Sequence, residues 1–197
     1  MTAVAEVTHR RRGEALLDAV MTAAIDELID VGLRRASMDA IAHRAGTGKA
    51  VLYRRWPNAR ALIIDAIVDT MESMQLPTEE SSGSLREDFC SIGRALATFL
   101  DSPRGAVLRE LFAEASREPR MLAELDLRYR VPEAARIDRL IDQAMRRGEI
   151  SAGPVDPLVI QILPATILHQ WLMLGQAPPG PVVEHIVDTM VMPLLQR

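Results

Sequence analysis

Lysine is almost missing from this chain of 197 residues: of its 23 strong cations only Lys49 is a lysine, and the rest are arginine. Cysteine is nearly absent as well. A lone Cys90 can close no intramolecular disulfide and has no partner cysteine for a metal cluster, which excludes a disulfide scaffold and fits a reducing cytoplasm. Histidines number four, lie far apart, and show no metal-binding spacing such as HExxH, so neither a metal nor another cofactor is expected. Cys90 has no evident base partner either, and no catalytic site assembles from the sequence; the chain does not read as an enzyme. The longest apolar run, LVIQILPATILHQWLML at 158–174, is broken by Gln161, Pro164, His169 and Gln170. That pattern argues for a buried helix rather than a membrane span. No long apolar stretch precedes the first charges, so no signal peptide is expected. Strand alternation between turn signals is nowhere sustained, and the fold class is all-α.

What is present is enough apolar residue, 48% against 25% charged, to bury a substantial core. The net charge of −4 is unevenly spread: residues 1–60 carry +3 and residues 61–197 carry −7. A basic head on an acidic body points to a polyanion as the head's partner.

The head divides into four helices. Leu17, Val20, Met21, Ala24, Leu28 and Val31 follow helical spacing over 14–31, ending at Gly32. Ser37 caps a short second helix over 38–45, with Asp39 in its first turn. Gly46 permits a sharp turn into KAVLYRR, a third short helix, and the pair forms a helix-turn-helix. Asn58 caps a fourth helix to about Met74, with Ile63, Ala66, Ile67, Thr70 and Met71 on one face. GTGK at 46–49 looks like the tail of a phosphate-binding loop, but His43 stands where that motif needs glycine and Ala50 where it needs Ser or Thr.

LPTEESSGS at 76–84 reads as a linker, giving domains 12–74 and 84–197. Beyond it, Ser84-Leu-Arg-Glu87 is a capping box opening a helix to about Leu100. Prolines 103, 119 and 157 sit at plausible first helical positions, and Pro132 predicts a kink or break within 119–147. Arg146 and Arg147 before Gly148 mark a helix end, and about nine helices are expected in all.

The stretch from Arg12 to about Met74, above all SMDAIAHRAGTGKAVLYRRWPNARALI, resembles the DNA-binding domain of the TetR family of bacterial transcriptional regulators. Ile41-Ala42, Ala45-Gly46, Leu52-Tyr53 and Trp56 with Ala61-Leu62 fall where that family places its core and turn. RRGEI at 146–150 is similar to one actinobacterial-type regulatory domain of the family. The resemblance implies a homodimer that binds a palindromic double-stranded operator as a repressor and leaves it when a small-molecule inducer enters the C-terminal helical domain.

The residues themselves agree. A recognition helix presents side chains near its N-terminus to base edges and keeps its other face in the core. Leu52 falls inward. Lys49 can donate to guanine, Ala50 and Val51 can touch thymine methyls, and Tyr53 can reach a phosphate. By resemblance, Lys49, Ala50 and Val51 occupy base-reading positions, Tyr53 and Arg55 phosphate-contacting ones, and Ser37 and Thr47 lie near helix ends that approach the backbone; Gly48 and Arg54 complete the candidate DNA-binding set. Trp56 is assigned to the core. Three residues depart from the family pattern: Ala59 stands where Lys or another polar residue is usual, Val51 where a hydroxyl is frequent, and Gly48 where Ser is frequent.

In the last helix, Val182, Val183, Ile186, Val187, Met190, Val191 and Leu194 form a broad apolar stripe. The helix before it is apolar almost all round, so its own core and a second copy must cover it, as in the family's four-helix dimer interface. Val183, Ile186, Val187, Met190, Val191 and Leu194 are the candidate dimer contacts. Phe89, Phe99, Phe112, Met121, Tyr129, His169 and Trp171 are candidates for lining a ligand cavity, which ten methionines and few aromatics would make adaptable. The competing class is a helical protein-interaction module, or a small-molecule-binding protein without specific DNA binding; it explains the helices but not the basic helix-turn-helix.

Overall fold

The computed structural model describes residues 2–72, 82–103, 105, 107–109, 123–124, 127–128 and 131–196, with side chains from Gly13 onward and excepting 131 and 132. Among the described residues every regular element is helical. They group into two compact units, one of residues 2–71 with 123–124 and the other of residues 72–109 and 127–196.

In the first unit, helix α1 (Thr2–Val31) begins well before Glu14, the expected start. Its first dozen residues are mostly Ala, Glu, Arg and Val without proline, so nothing in them stops a helix. Val20, Ala23, Ala24 and Leu28 are buried along one face. Helix α2 (Met38–Arg44) is capped as expected, the Ser37 hydroxyl accepting from the Ala40 N–H at 3.2 Å. Such a cap contributes about 1 kcal/mol. Gly46 at φ +64° makes the left-handed turn that a side chain would oppose, and helix α3 (Lys49–Tyr53) follows. Leu52 is wholly buried, as are Ile41 and Leu62; each full burial is worth about 1.5–3 kcal/mol.

Polar contacts hold these short helices in place. Arg44 donates to Glu27 at 3.0 Å and to Asp30 at 2.5 Å, which ties α2 to α1 and gives the buried Glu27 carboxylate its counter-charge. Trp56 is buried and its Nε1–H donates to Asp65 on helix α4 (Ala59–Glu72). The Asn58 side chain caps α4, accepting from the Ala61 N–H at 2.9 Å.

The second unit opens with helix α5 (Leu85–Leu100), capped by Ser84. The Glu149 carboxylate accepts from the Leu85 N–H at 2.7 Å and pairs with Arg147, so the RRGEI stretch completes the start of a helix 64 residues away. Helix α6 (Val131–Arg147) has Pro132 as its second residue: the proline marks a helix start, where its missing N–H has no partner to lose. Helix α7 (Pro157–Leu174) is capped by Asp156 and stopped by left-handed Gly175. Helix α8 (Gly180–Ile186), a π-helical stretch at Val187–Val191 and helix α9 (Met192–Leu195) end the chain. Helix α5 approaches α7 and α8 closely at Gly93, where an added Cβ would lie 2.5 Å from Val183 Cγ1. Arg109 stacks over the buried Trp171 ring at 4.5 Å and donates to the Gly175 carbonyl at 2.7 Å. Arg86 holds Asp188 bidentately, at 2.6 and 2.9 Å. Burial raises the Cys90 thiol above its ordinary pKa, which keeps it protonated and unreactive.

Candidate nucleic-acid interface

The two short helices of the head present one polar edge. At its centre Lys49 is 63% exposed and Asp39 72%, and Lys49 Nζ sits 3.1 Å from Asp39 Oδ1. Ser37 marks the N-terminus of α2, and Gly48 the N-terminus of α3, where it supplies no side-chain cap. The N-terminus of α3, which has no side-chain cap, leaves backbone N–H groups that suit a phosphate oxygen. Ala50 is exposed and Val51 half-buried, with Leu52 turned into the core behind them. Thr47, in the turn, is half-buried.

Tyr53 is 54% exposed, so it is no core aromatic. Arg54 and Arg55 are both exposed, and the Arg55 guanidinium lies 5.3 Å from the centre of the Trp56 ring. The fixed indole therefore braces Arg55, a restraint that residue spacing alone does not disclose. The Asp39–Lys49 pair is likewise absent from the sequence expectations, which give Asp39 only the helix dipole, although a turn of just four residues separates α2 from the lysine.

In the body, the candidate residues divide by burial. Val183, Ile186, Val187 and Val191 are buried within the chain's own core. The apolar stripe of the last helix is broad enough to be divided. Its inner half packs on α5 and α7, and only Met190 (43%) and Leu194 (38%) remain exposed. Helix α7 buries only Leu163, Ile167 and Trp171, one residue per turn, and leaves Leu158, Leu172, Met173 and Leu174 exposed. His169 is exposed too. Phe89, Phe99 and Trp171 are buried core side chains. Phe112, Met121 and Tyr129 lie outside the described residues, as does Met74 at the expected end of α4. Among the described residues no group of three or more metal-ligating side chains comes together.

An all-helical chain whose head holds two short capped helices at a glycine turn, with an exposed polar edge, defines a helix-turn-helix DNA-binding protein. Residues 20–66 match the family of bacterial regulatory proteins of the tetR type, and residues 79–190 match the tetracyclin repressor-like C-terminal domain. The chain belongs to the TetR family of transcriptional regulators. It is similar to the HTH-type transcriptional regulator YdeS of Bacillus subtilis, at 28% identity over 84% of this chain and 83% of that one. The DNA-binding transcriptional repressor TetR of Mycobacteroides abscessus is 24% identical over 94% of this chain and 96% of its own length. Among solved structures, a TetR family regulator from Marinobacter aquaeolei VT8 covers 95% of this chain and 100% of its own with a TM-score of 0.66 at 21% identity. The flavonoid-responsive regulator FrrA reaches the same TM-score at 25% identity, covering 91% of this chain and 95% of its own.

Proposed function

We propose that this DNA-binding transcriptional regulator is a cytoplasmic repressor that grips a palindromic operator as a homodimer and lets go when a small molecule enters its C-terminal domain. Residues 12–74 form the DNA-binding domain, and 84–197 the regulatory and dimerisation domain. In the head, Lys49, Ala50 and Val51 face base edges. Tyr53 and Arg55 hold phosphates, with Ser37, Thr47, Gly48 and Arg54 along the same contact. The observation that carries this reading is the exposed edge made by the N-terminus of α2 and the first turn of α3, with Lys49 at its centre and Leu52 anchored beneath.

Dimerisation is supported by what the body leaves bare. Leu158, Leu172, Met173, Leu174, Met190 and Leu194 give α7 and the last helical rod an uncovered apolar surface, which a monomer in water rarely keeps. A second copy related by a two-fold axis would cover it with the same surface. Release by a small molecule is supported by FrrA, a flavonoid-responsive relative in fold.

Light scattering at micromolar concentration should give a dimer, and a gel shift with the upstream DNA of the chain's own gene should give a salt-dependent specific complex. Log K should fall linearly with log salt, with a slope near −0.9 for each neutralised phosphate. A monomer that binds no DNA better than a scrambled duplex would refute the proposal.

A further inference from the structure

An ion pair on the polar edge of the head joins an acid to the side chain assigned to base reading, and both are open to solvent. The cap of α2 is already supplied by the Ser37 hydroxyl, which leaves the Asp39 carboxylate to Lys49. An exposed pair of this kind stabilises a fold very little, so stability does not account for it. Lysine is a compact charge with three donors on a flexible stem. Left untethered beside DNA, such a charge goes to the nearest phosphate, which adds affinity without sequence information.

We propose that Asp39 is a specificity-determining positioning residue: it tethers the Lys49 ammonium at the base-facing edge and, by its own negative charge, penalises docking on any duplex that offers Lys49 no acceptor in the groove. The pair bridges α2 and α3 at 3.1 Å, and the two helices are locked together behind it by the buried Leu52, Ile41 and Ala42. The tether is therefore anchored on a fixed frame. One ammonium N–H goes on donating to Asp39 while the others point to guanine O6 or N7, so the carboxylate need not be stranded when the correct base is present. On a wrong sequence the lysine must either stay with Asp39 and bind nothing, or leave it and expose a carboxylate to the phosphates. As water is displaced at the interface, both alternatives become more costly.

This rests on the reading of Lys49 as a base contact, and the test separates the two. A duplex selected from random sequence by the wild-type protein and a scrambled duplex of the same length are titrated with the full-length wild type and with Asp39→Asn, Asp39→Glu, Lys49→Ala and Lys49→Ala/Asp39→Asn; thermal melts confirm folding. Asp39→Asn is expected to tighten the scrambled duplex by roughly threefold to tenfold and the selected duplex less, so that the ratio between them falls. Asp39→Glu should keep most of the ratio, and in the Lys49→Ala background Asp39→Asn should shift both duplexes alike. If Lys49→Ala alone weakens both duplexes equally, the base-reading assignment fails and the proposal with it. If Lys49→Ala is selective but Asp39→Asn leaves the ratio unchanged, or changes it equally without Lys49, only the role given to Asp39 is overturned.

Discussion

In the head, α2 and α3 are seven and five residues long and bury four side chains between them, Met38, Ile41, Ala42 and Leu52. In the body, α7 alone runs 18 residues and buries three, Leu163, Ile167 and Trp171. Short helices that bury much are held by caps and by neighbours; what they leave exposed is polar or small and is available for a charged partner. A long helix that buries little leaves apolar surface, which calls for an apolar partner. On the proposed function, the same helical grammar would yield a DNA-facing edge in one unit and a chain-facing surface in the other, and the polarity of the exposed residues would tell them apart.

The largest effect expected on this contrast comes from charge placed on either side of the last helix's stripe. Val187 is completely buried, so Val187→Glu should cost of order 4 kcal/mol or more and leave little folded body, seen as a collapsed urea midpoint. Leu172→Glu with Met190→Glu, on exposed positions, should keep the fold and the helical circular-dichroism signal yet give a monomer by light scattering. Should both variants unfold alike, the division of the stripe into an inner and an outer half would be wrong.

Within the head the effects are smaller. Lys49→Ala should cost about 1–3 kcal/mol on the preferred operator and much less on unrelated DNA. Arg55→Ala should weaken every duplex alike and flatten the salt slope by about one unit, because a phosphate contact carries no sequence information. Equal losses on all sequences for Lys49→Ala would move that side chain from base to backbone.

The smallest effect concerns the surface pair that joins α5 to the end of the chain. Hydrogen bonding from Arg86 holds the Asp188 carboxyl below its ordinary value of 3.8. The stability it adds is therefore present above that ordinary value and is lost as pH falls through the lower folded one. Wild type should exceed Asp188→Asn in urea midpoint near neutrality, and the difference should shrink as pH falls through and below the ordinary value of 3.8. A constant difference across that range would assign the loss to packing instead of charge.

Much of this was legible in the residues. Ser37, Asn58 and Ser84 cap the helices they precede, Pro157 opens its helix, Gly46 makes its turn, and Leu52 anchors the recognition helix, because capping and helical periodicity act within a few residues of chain. The exposed face of KAVLY followed from the same periodicity once Leu52 was placed inward. What periodicity cannot tell is which half of an all-apolar surface meets its own chain. Val183 and Val187 look no different from Met190 and Leu194 along the sequence; only the approach of α5 and α7, closest where Gly93 leaves room for Val183, makes the first pair core and the second pair surface. The brace of Arg55 on Trp56 and the tether of Lys49 to Asp39 belong to the same class. Local backbone preferences and amphipathic spacing determined the helices and which side of the head's short helices stays exposed, whereas side-chain partnership depends on distances between elements, and these exist only once the helices have packed.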